Sequence, residues 1–396
     1  MIRLNSNLII ILLAILSGCV SDAIISRKQE DFISVDVTKN YNSRKELILQ
    51  DFMEVDYIAL ETKDGFHNQG SVMDIGKNII LVTNRIHDGD IFVYDRTGKA
   101  LRKINHRGPG PEEYITINSI TLDEDNDEMF VNSIVSQKIL VYDLYGNFKR
   151  SLKHKEGDGS LFYKDILNYD KEHLICYDGN NEKIPFVLIS KQNGNITKEI
   201  KISFSNKKSL VHYNRVGENI NTATPGAYRS IINFDGNWML LEHSSDTVYT
   251  FSRDNGLRPF IVRTPSVDSM DPEIILIFRL FSYRYYFMET MKNVFDFSTR
   301  QGFPKTFFMY DAQENDFFGY NVYNGDYSTK KEVYMNMLRP VNNDIEYCQH
   351  IEADQLVEDY AKGILKGRLN EIAAGLEEED NPVIMLIKQK KIEFSD

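Results

Sequence analysis

A repeat of 48 residues constrains this chain more than any other feature of its sequence. Ile91-Phe92-Val93-Tyr94-Asp95-Arg96-Thr97-Gly98-Lys99 is answered by Ile139-Leu140-Val141-Tyr142-Asp143-Leu144-Tyr145-Gly146-Asn147. A weaker third copy runs from Val187 to Asn195, so that Gly98, Gly146 and Gly194 stand 48 residues apart. Each copy reads as a strand, a tight turn and a returning strand, with the glycine supplying the positive φ that the hairpin needs. Another hairpin lies upstream: Ile120-Thr121-Leu122, a polar turn over residues 123–127, then Met129-Phe130-Val131. Four strands every 48 residues predict the blades of a β-propeller.

The pattern continues with insertions. Residues 231–234, 238–241 and 247–251 predict a fourth blade, and residues 294–297 and 307–311 are assigned to a fifth. Residues 355–376 carry apolar positions at helical spacing, broken by Asn381-Pro382 before a last strand over residues 383–388. A ring has to be closed, and residues 32–37 are expected to pair with the last blade and remove its open edge.

The N-terminus carries an address rather than structure. Arg3 and the apolar run 8–16 form a signal peptide over residues 1–18, too short for a span that takes about 20 residues. Leu16-Ser17-Gly18-Cys19 resembles the bacterial lipobox, whose cysteine takes the lipid. The expectation is a chain lipidated at Cys19, with a flexible tether over residues 19–30 and a propeller domain over residues 31–396. Acyl chains give about 0.8 kcal/mol per buried CH₂, so the mature protein would be tethered to the membrane and not embedded in it.

Three further segments carry a resemblance: Arg107-Gly108-Pro109-Gly110-Pro111-Glu112-Glu113-Tyr114, Ser245-Asp246-Thr247-Val248-Tyr249 and Asn381-Pro382-Val383. With the repeat, they make the sequence similar, over nearly all of the mature chain, to a six-bladed β-propeller lipoprotein family of Gram-negative gut anaerobes, distantly NHL-repeat-like. The resemblance implies an all-β fold of six four-stranded antiparallel blades, with the helical insertion in the last. It also implies a place in the cell envelope, at the outer membrane, and it brings no catalytic residues. The arithmetic agrees: about 360 folded residues leave room for seven blades, and the insertions consume one.

Chemistry-bearing motifs are absent. The sequence holds no Walker loop, no G-x-G-x-x-G, no G-x-S-x-G and no H-E-x-x-H, and its eight histidines are scattered. Neither a metal nor a cofactor is expected. Asp123-Glu124-Asp125-Asn126-Asp127 imitates a calcium loop, but Glu128 replaces the required glycine and Ile134 the bidentate glutamate. The net charge of −12, without a compensating basic stripe, argues against nucleic acid. Cys176 lies in an apolar run and reads as a buried thiol, with a pairing to Cys348 left open. The 107–114 loop reads as an inter-blade link with Tyr114 as a wedge, the other reading being an anion-binding nest. The aromatic stretch 278–291 reads as inter-blade packing before a sugar platform.

Topology then assigns a functional face. The first and third turns of each blade are tight. The opposite face carries length, at residues 84–90, 105–114, 153–164, 203–229 and 264–286. Long loops on a rigid scaffold are where binding usually resides. Arg85, His87, Arg107, Tyr213, Arg215, Tyr228, Arg229 and His243 are the expected contacts there. The function expected is a non-catalytic binding or interaction module for a glycan, peptide or envelope protein. A propeller lyase or hydrolase with an axial site and a structural subunit of an envelope complex are the alternatives.

Overall fold

The computed structural model describes residues 32–390, apart from 85–87, 155–162, 227, 255, 336–338 and 341–346. It is a six-bladed β-propeller of mostly four-stranded antiparallel blades. Blade 1 is Ser71–Ile75, Ile79–Thr83, Asp90–Asp95 and Ala100–Asn105, and blade 2 is Ser119–Asp123, Glu128–Ser133, Lys138–Asp143 and Phe148–Lys153. Blade 3 is Asp165–Asn168, His173–Tyr177, Phe186–Ser190 and Ile196–Ile200, and blade 4 is Ile231–Phe234, Asn237–Leu240, Thr247–Phe251 and Leu257–Thr264. Blade 5 is Ile274–Phe281, Tyr285–Lys292, Lys305–Asp311 and Asp316–Tyr323. Cys19, the signal peptide, the tether, Arg85 and His87 lie outside the described residues.

The strands closing the ring differ from the expectation. Blade 6 is Arg339–Pro340, Tyr347–Ile351, Val383–Gln389 and Met53–Ala59, the last pairing antiparallel with Val383–Gln389 from Met53↔Gln389 to Ala59↔Val383. Residues 32–37 do not close it. Ile33–Asp36 adds to blade 4 as a parallel fifth strand, and Arg44–Ile48 adds to blade 5 in the same way. The physical reason is burial: Val35 and Val37 cover Ile232, Val248, Ile261 and Leu276 between blades 4 and 5. Met53–Ala59 instead offers seven residues that match the full length of its partner.

Two further expectations are corrected. Residues 264–286 are not one long loop, because Ile274–Phe281 is the innermost strand of blade 5 and Tyr285–Lys292 its second. The aromatic stretch is therefore blade packing, with Phe278, Phe281, Phe287 and Met288 buried. Phe295–Asp296 pairs with Gln301–Gly302 in a small hairpin inserted between the second and third strands of that blade. The predicted helix is two helices, Ala353–Ala361 and Gly367–Ala373, separated at Gly363 with φ +65. They lie in blade 6 between its second and third strands, as the insertion was expected to. Cys176 and Cys348 are buried thiols in blades 3 and 6, and no disulfide joins them.

Each blade's first strand has one free edge, and side chains stitch these inner edges together. Asp74 Oδ2 of blade 1 accepts from the Leu122 amide of blade 2 at 2.7 Å, and Thr121 Oγ1 of blade 2 donates to the Ile166 carbonyl of blade 3 at 2.7 Å. Asp165 Oδ2 of blade 3 accepts from the Ser230 amide, next to the first strand of blade 4, at 2.7 Å. Buried backbone groups left without such partners would cost about 1–3 kcal/mol each.

The repeated glycine has two jobs. Gly98 and Gly146 take φ +89 and +95 in the outer turns of blades 1 and 2. Each also abuts the outermost strand of the preceding blade. A Cβ on Gly98 would collide with the Ala59 carbonyl, and one on Gly146 would lie 2.9 Å from the Ile104 side chain. Gly194 repeats the approach, 3.1 Å from Leu152 Cβ. The 48-residue spacing thus records blade-to-blade docking as well as turn geometry. Gly98→Ala should cost about 3 kcal/mol, from positive φ plus a collision with fixed backbone. Gly236→Ala, at φ +69 with nothing within 4 Å, should cost only about 1 kcal/mol. Urea denaturation of both variants checks this, and equal losses would show that the close approach contributes nothing.

Candidate functional site

The second inter-strand turn of a blade and the link to the next blade emerge on one face. At the junction of blades 3 and 4 this face gathers charged side chains from separate segments. Glu242 follows the second strand of blade 4 and is completely buried. Its Oε2 accepts from the Tyr177 hydroxyl at 3.2 Å and from Lys207 Nζ at 2.6 Å, and its Oε1 accepts from the Ser244 amide at 3.0 Å. Burial alone would raise its carboxyl, but the Lys207 ammonium and the Ser244 amide hold it below the usual carboxylate range. The Tyr177 hydroxyl goes the other way, raised by burial and by that same carboxylate.

His243 is buried beside Glu242. Its Nε2 donates to the Lys208 carbonyl at 2.9 Å, which leaves Nδ1 as the bare nitrogen, 3.8 Å from Glu242 Oε1 and without a hydrogen-bond partner. Burial lowers its imidazole, so the neutral ring dominates. Tyr228 meets His243 edge to face, with ring centroids 6.3 Å apart. Lys164 lies across Tyr228, its Nζ 3.7 Å from the ring centroid. Burial lowers the Lys164 ammonium; Asp165 and Glu242 pull it upward, and Arg229 and Lys207 push it further down. Arg229 NH1 reaches Asp165 Oδ1 at 3.3 Å.

Arg229 also faces inward. A cavity of about 630 Å³ opens between the innermost strands of blades 1, 2 and 3, lined by Asp74, Leu122, Glu124, Asn168, Arg229 and Lys388 among others. Its acids are already engaged. Glu124 accepts the backbone amides of Lys77 at 2.7 Å and Ile79 at 3.0 Å, and the neighbouring Asp123 holds Lys191 Nζ at 2.6 Å. The 123–127 segment is therefore an inter-blade tie. Among the described residues no group of three or more His, Cys, Asp or Glu is arranged to hold a metal.

Of the expected contacts, the structure brings together Tyr228, Arg229 and His243. Arg107 is exposed in its loop, whose donors and acceptors serve Tyr114. Tyr114 is buried, its hydroxyl donating to the Gly89 carbonyl at 2.7 Å and accepting from the His106 amide at 2.9 Å. This is the wedge reading of that loop. Tyr213 and Arg215 ride on the hairpin His212–Val216 and Asn219–Ala223, where they form a solvent-facing side with Ile220. The other side of the hairpin packs on blade 5, with His212 Nε2 hydrogen-bonded to Asn293 at 2.9 Å and the ring edge-on to Phe303. Sequence reasoning missed Lys164, Lys207, Tyr177, Asp165 and Glu242. Only the Glu242-His243 pair, set directly after a buried apolar strand, left a signal.

A second buried histidine on this face should make stability depend on pH. His154, between blades 2 and 3, bonds Asn132 Oδ1 through Nε2 at 3.0 Å, and burial pushes its imidazole down to about 4. The unfolded chain protonates near 6.5, so below that pH it gains protons that the folded state refuses. Stability should be level above pH 6.5, fall by up to about 3 kcal/mol as pH drops to 4, and level again below. Urea titrations across this range check it. His154→Gln should reduce the slope, leaving the part due to buried His243, and an unchanged slope would remove His154 as a cause.

Comparison with known proteins places this arrangement in a family. A family model described as a domain of unknown function, DUF4934, matches residues 32–388, and the chain belongs to that family. Among solved structures, a Bacteroides fragilis NCTC 9343 protein described as exported is similar at 15% identity and a TM-score of 0.58, covering 91% of this chain and 100% of that one. A duf4221 family member from Bacteroides vulgatus ATCC 8482 gives 10% identity and a TM-score of 0.47, over 86% of this chain and 99% of its own. Kuenenia stuttgartiensis hydrazine synthase gives 11% and 0.38, over 83% and 90%. At these identities the first likeness bears on the fold alone. No curated protein matches the sequence.

Proposed function

We propose that this member of the DUF4934 family is a cell-envelope lipoprotein, held at the outer membrane through Cys19, that binds a glycan, peptide or partner protein without transforming it. One observation carries the reading. Tyr228, Arg229 and His243, from two separate loops of the long-loop face, converge with Lys164 and Lys207 on one half-buried charged cluster. Buried charge of this kind adds little to stability, since apolar replacements of similar volume often do as well or better. Charge gathered at the end of a rigid scaffold is better explained by recognition.

The lowered Lys164 and His243 favour a second reading, a propeller enzyme using these two groups as acid and base. The two readings separate on the fate of a bound ligand: recovered unchanged from the first, converted by the second.

Two measurements test the proposal. Cys19→Ser should move the protein from the membrane fraction to the soluble one and abolish incorporation of labelled fatty acid; a variant that stays membrane-bound would overturn the anchoring. Residues 20–396 should show raised thermal stability with at least one of a panel of oligosaccharides, peptidoglycan fragments and peptides. A ligand at a hundredfold excess over Kd stabilises by about 2.7 kcal/mol. A flat panel, together with no envelope protein cross-linked on intact cells, would overturn the binding role.

A further inference from the structure

One cation between blades 3 and 4 has no carboxylate at ion-pair distance among the described residues. Glu242 is matched by Lys207 at 2.6 Å and Asp165 by Arg229 at 3.3 Å. Lys208, on the same loop, is matched by Asp268 at 2.8 Å and Glu273 at 3.6 Å. Lys164 is left over. Its Nζ has only the face of Tyr228 as a close partner among the described residues. A ring face attracts an ammonium but does not neutralise it, a contact worth about 0.5–2 kcal/mol. Two polar groups with unused capacity therefore stand against the Tyr228 ring: Lys164 Nζ and the buried His243 Nδ1.

We propose that this junction is a binding site for an oxyanion, a carboxylate or a phosphate carried on a small polar ligand. Lys164 supplies the neutralising charge and the Tyr228 hydroxyl a donor. His243 Nδ1, bare because Nε2 donates to the Lys208 carbonyl, accepts from a hydroxyl next to the anionic group. An anion at Lys164 would restore the charged form that burial disfavours, so the geometry and the lowered ammonium point the same way. Asp165 and Glu242 do not fill this role, because each already holds its own cation. The carboxylate of a sugar acid and a phosphate ester present the same chemistry here. A neutral sugar does not.

This inference rests on the binding role proposed above, and the experiment keeps the two apart. The full chain in detergent micelles would be titrated calorimetrically with glucuronate, glucose 6-phosphate, inorganic phosphate and glucose. Binding of at least one oxyanion is expected, with glucose silent. Lys164→Met keeps the stem over Tyr228 and should weaken that Kd at least tenfold, Tyr228→Phe severalfold, and Lys164→Arg little. Thermal melts of each variant show that the fold is retained. Preference for glucuronate identifies a sugar acid, and preference for glucose 6-phosphate a phosphate ester. Equal affinity of wild type and Lys164→Met for the oxyanion overturns the site. So does silence of all three oxyanions at millimolar concentration. In either case a neutral ligand or a protein found by the wider panel would leave the binding role standing.

Discussion

The ring depends on one sheet shared by both ends of the chain. Met53–Ala59 runs beside Val383–Gln389 through seven residue pairs, and Val383, Ile384, Met385, Leu386 and Ile387 are all buried there. Without that strand the third strand of blade 6 would present a free edge, and blades 1 and 6 would meet through side chains alone. Asn381 tightens the joint. Its Nδ2 donates to the Glu61 and Phe66 carbonyls at 3.0 and 2.9 Å, while its Oδ1 accepts from the Asn68 amide at 2.9 Å. The Asn-Pro-Val signature near the C-terminus is thus the peg of this closure.

A closed ring fixes the angle between neighbouring blades, and that angle assembles the charged cluster. Lys164 and Asp165 enter blade 3, Tyr177 leaves its second strand, and Lys207 lies in the link to blade 4. Tyr228, Arg229, Glu242 and His243 belong to blade 4 or its approach. None of these segments could present the cluster alone. Side chains tens of residues apart meet because two twisted sheets are held face to face through Ile175, Tyr177, Phe186, Ile231, Trp238 and Leu240.

What could be read from the sequence was local. The hairpins at Gly98, Gly146 and Gly194 announce themselves through turn residues and flanking apolar strands. The final strand stands out because Asn381-Pro382 precedes it. Blade 5 was harder to read. Ile274 to Met291 is apolar almost throughout, and only Ser282-Tyr283-Arg284 marks the turn between its two strands. The edge that residues 32–37 join was not legible either, because a four-residue parallel pairing is set by the partner's exposed side and not by the strand itself. In the site, loop length pointed to Tyr228, Arg229 and His243. It also pointed to Arg107, whose loop is spent on seating Tyr114. A lysine such as Lys164 looks like any surface lysine until a tyrosine from another blade is laid beneath it.

The path of the N-terminal segment has a consequence for the order in which the molecule is made. Ile33 pairs with Ile261 and Arg44 with Gly319, separations of 228 and 275 residues (261 − 33 and 319 − 44). Met53 meets Gln389, 336 residues on (389 − 53). This segment is made before blade 1, yet it finds its neighbours only after blades 1 to 3. Its strands wait unpaired until the outer strands of blades 4 and 5 and the third strand of blade 6 have been made. Contacts of such long sequence separation slow folding, because the entropy of closing the loop is spent before the contact returns anything. Blades 1 to 3 carry their own four strands in sequence and can assemble as the chain appears. Blades 4 to 6 are finished by a strap threaded back from residues 33–59, so strands made ahead of blade 1 are the last to be seated.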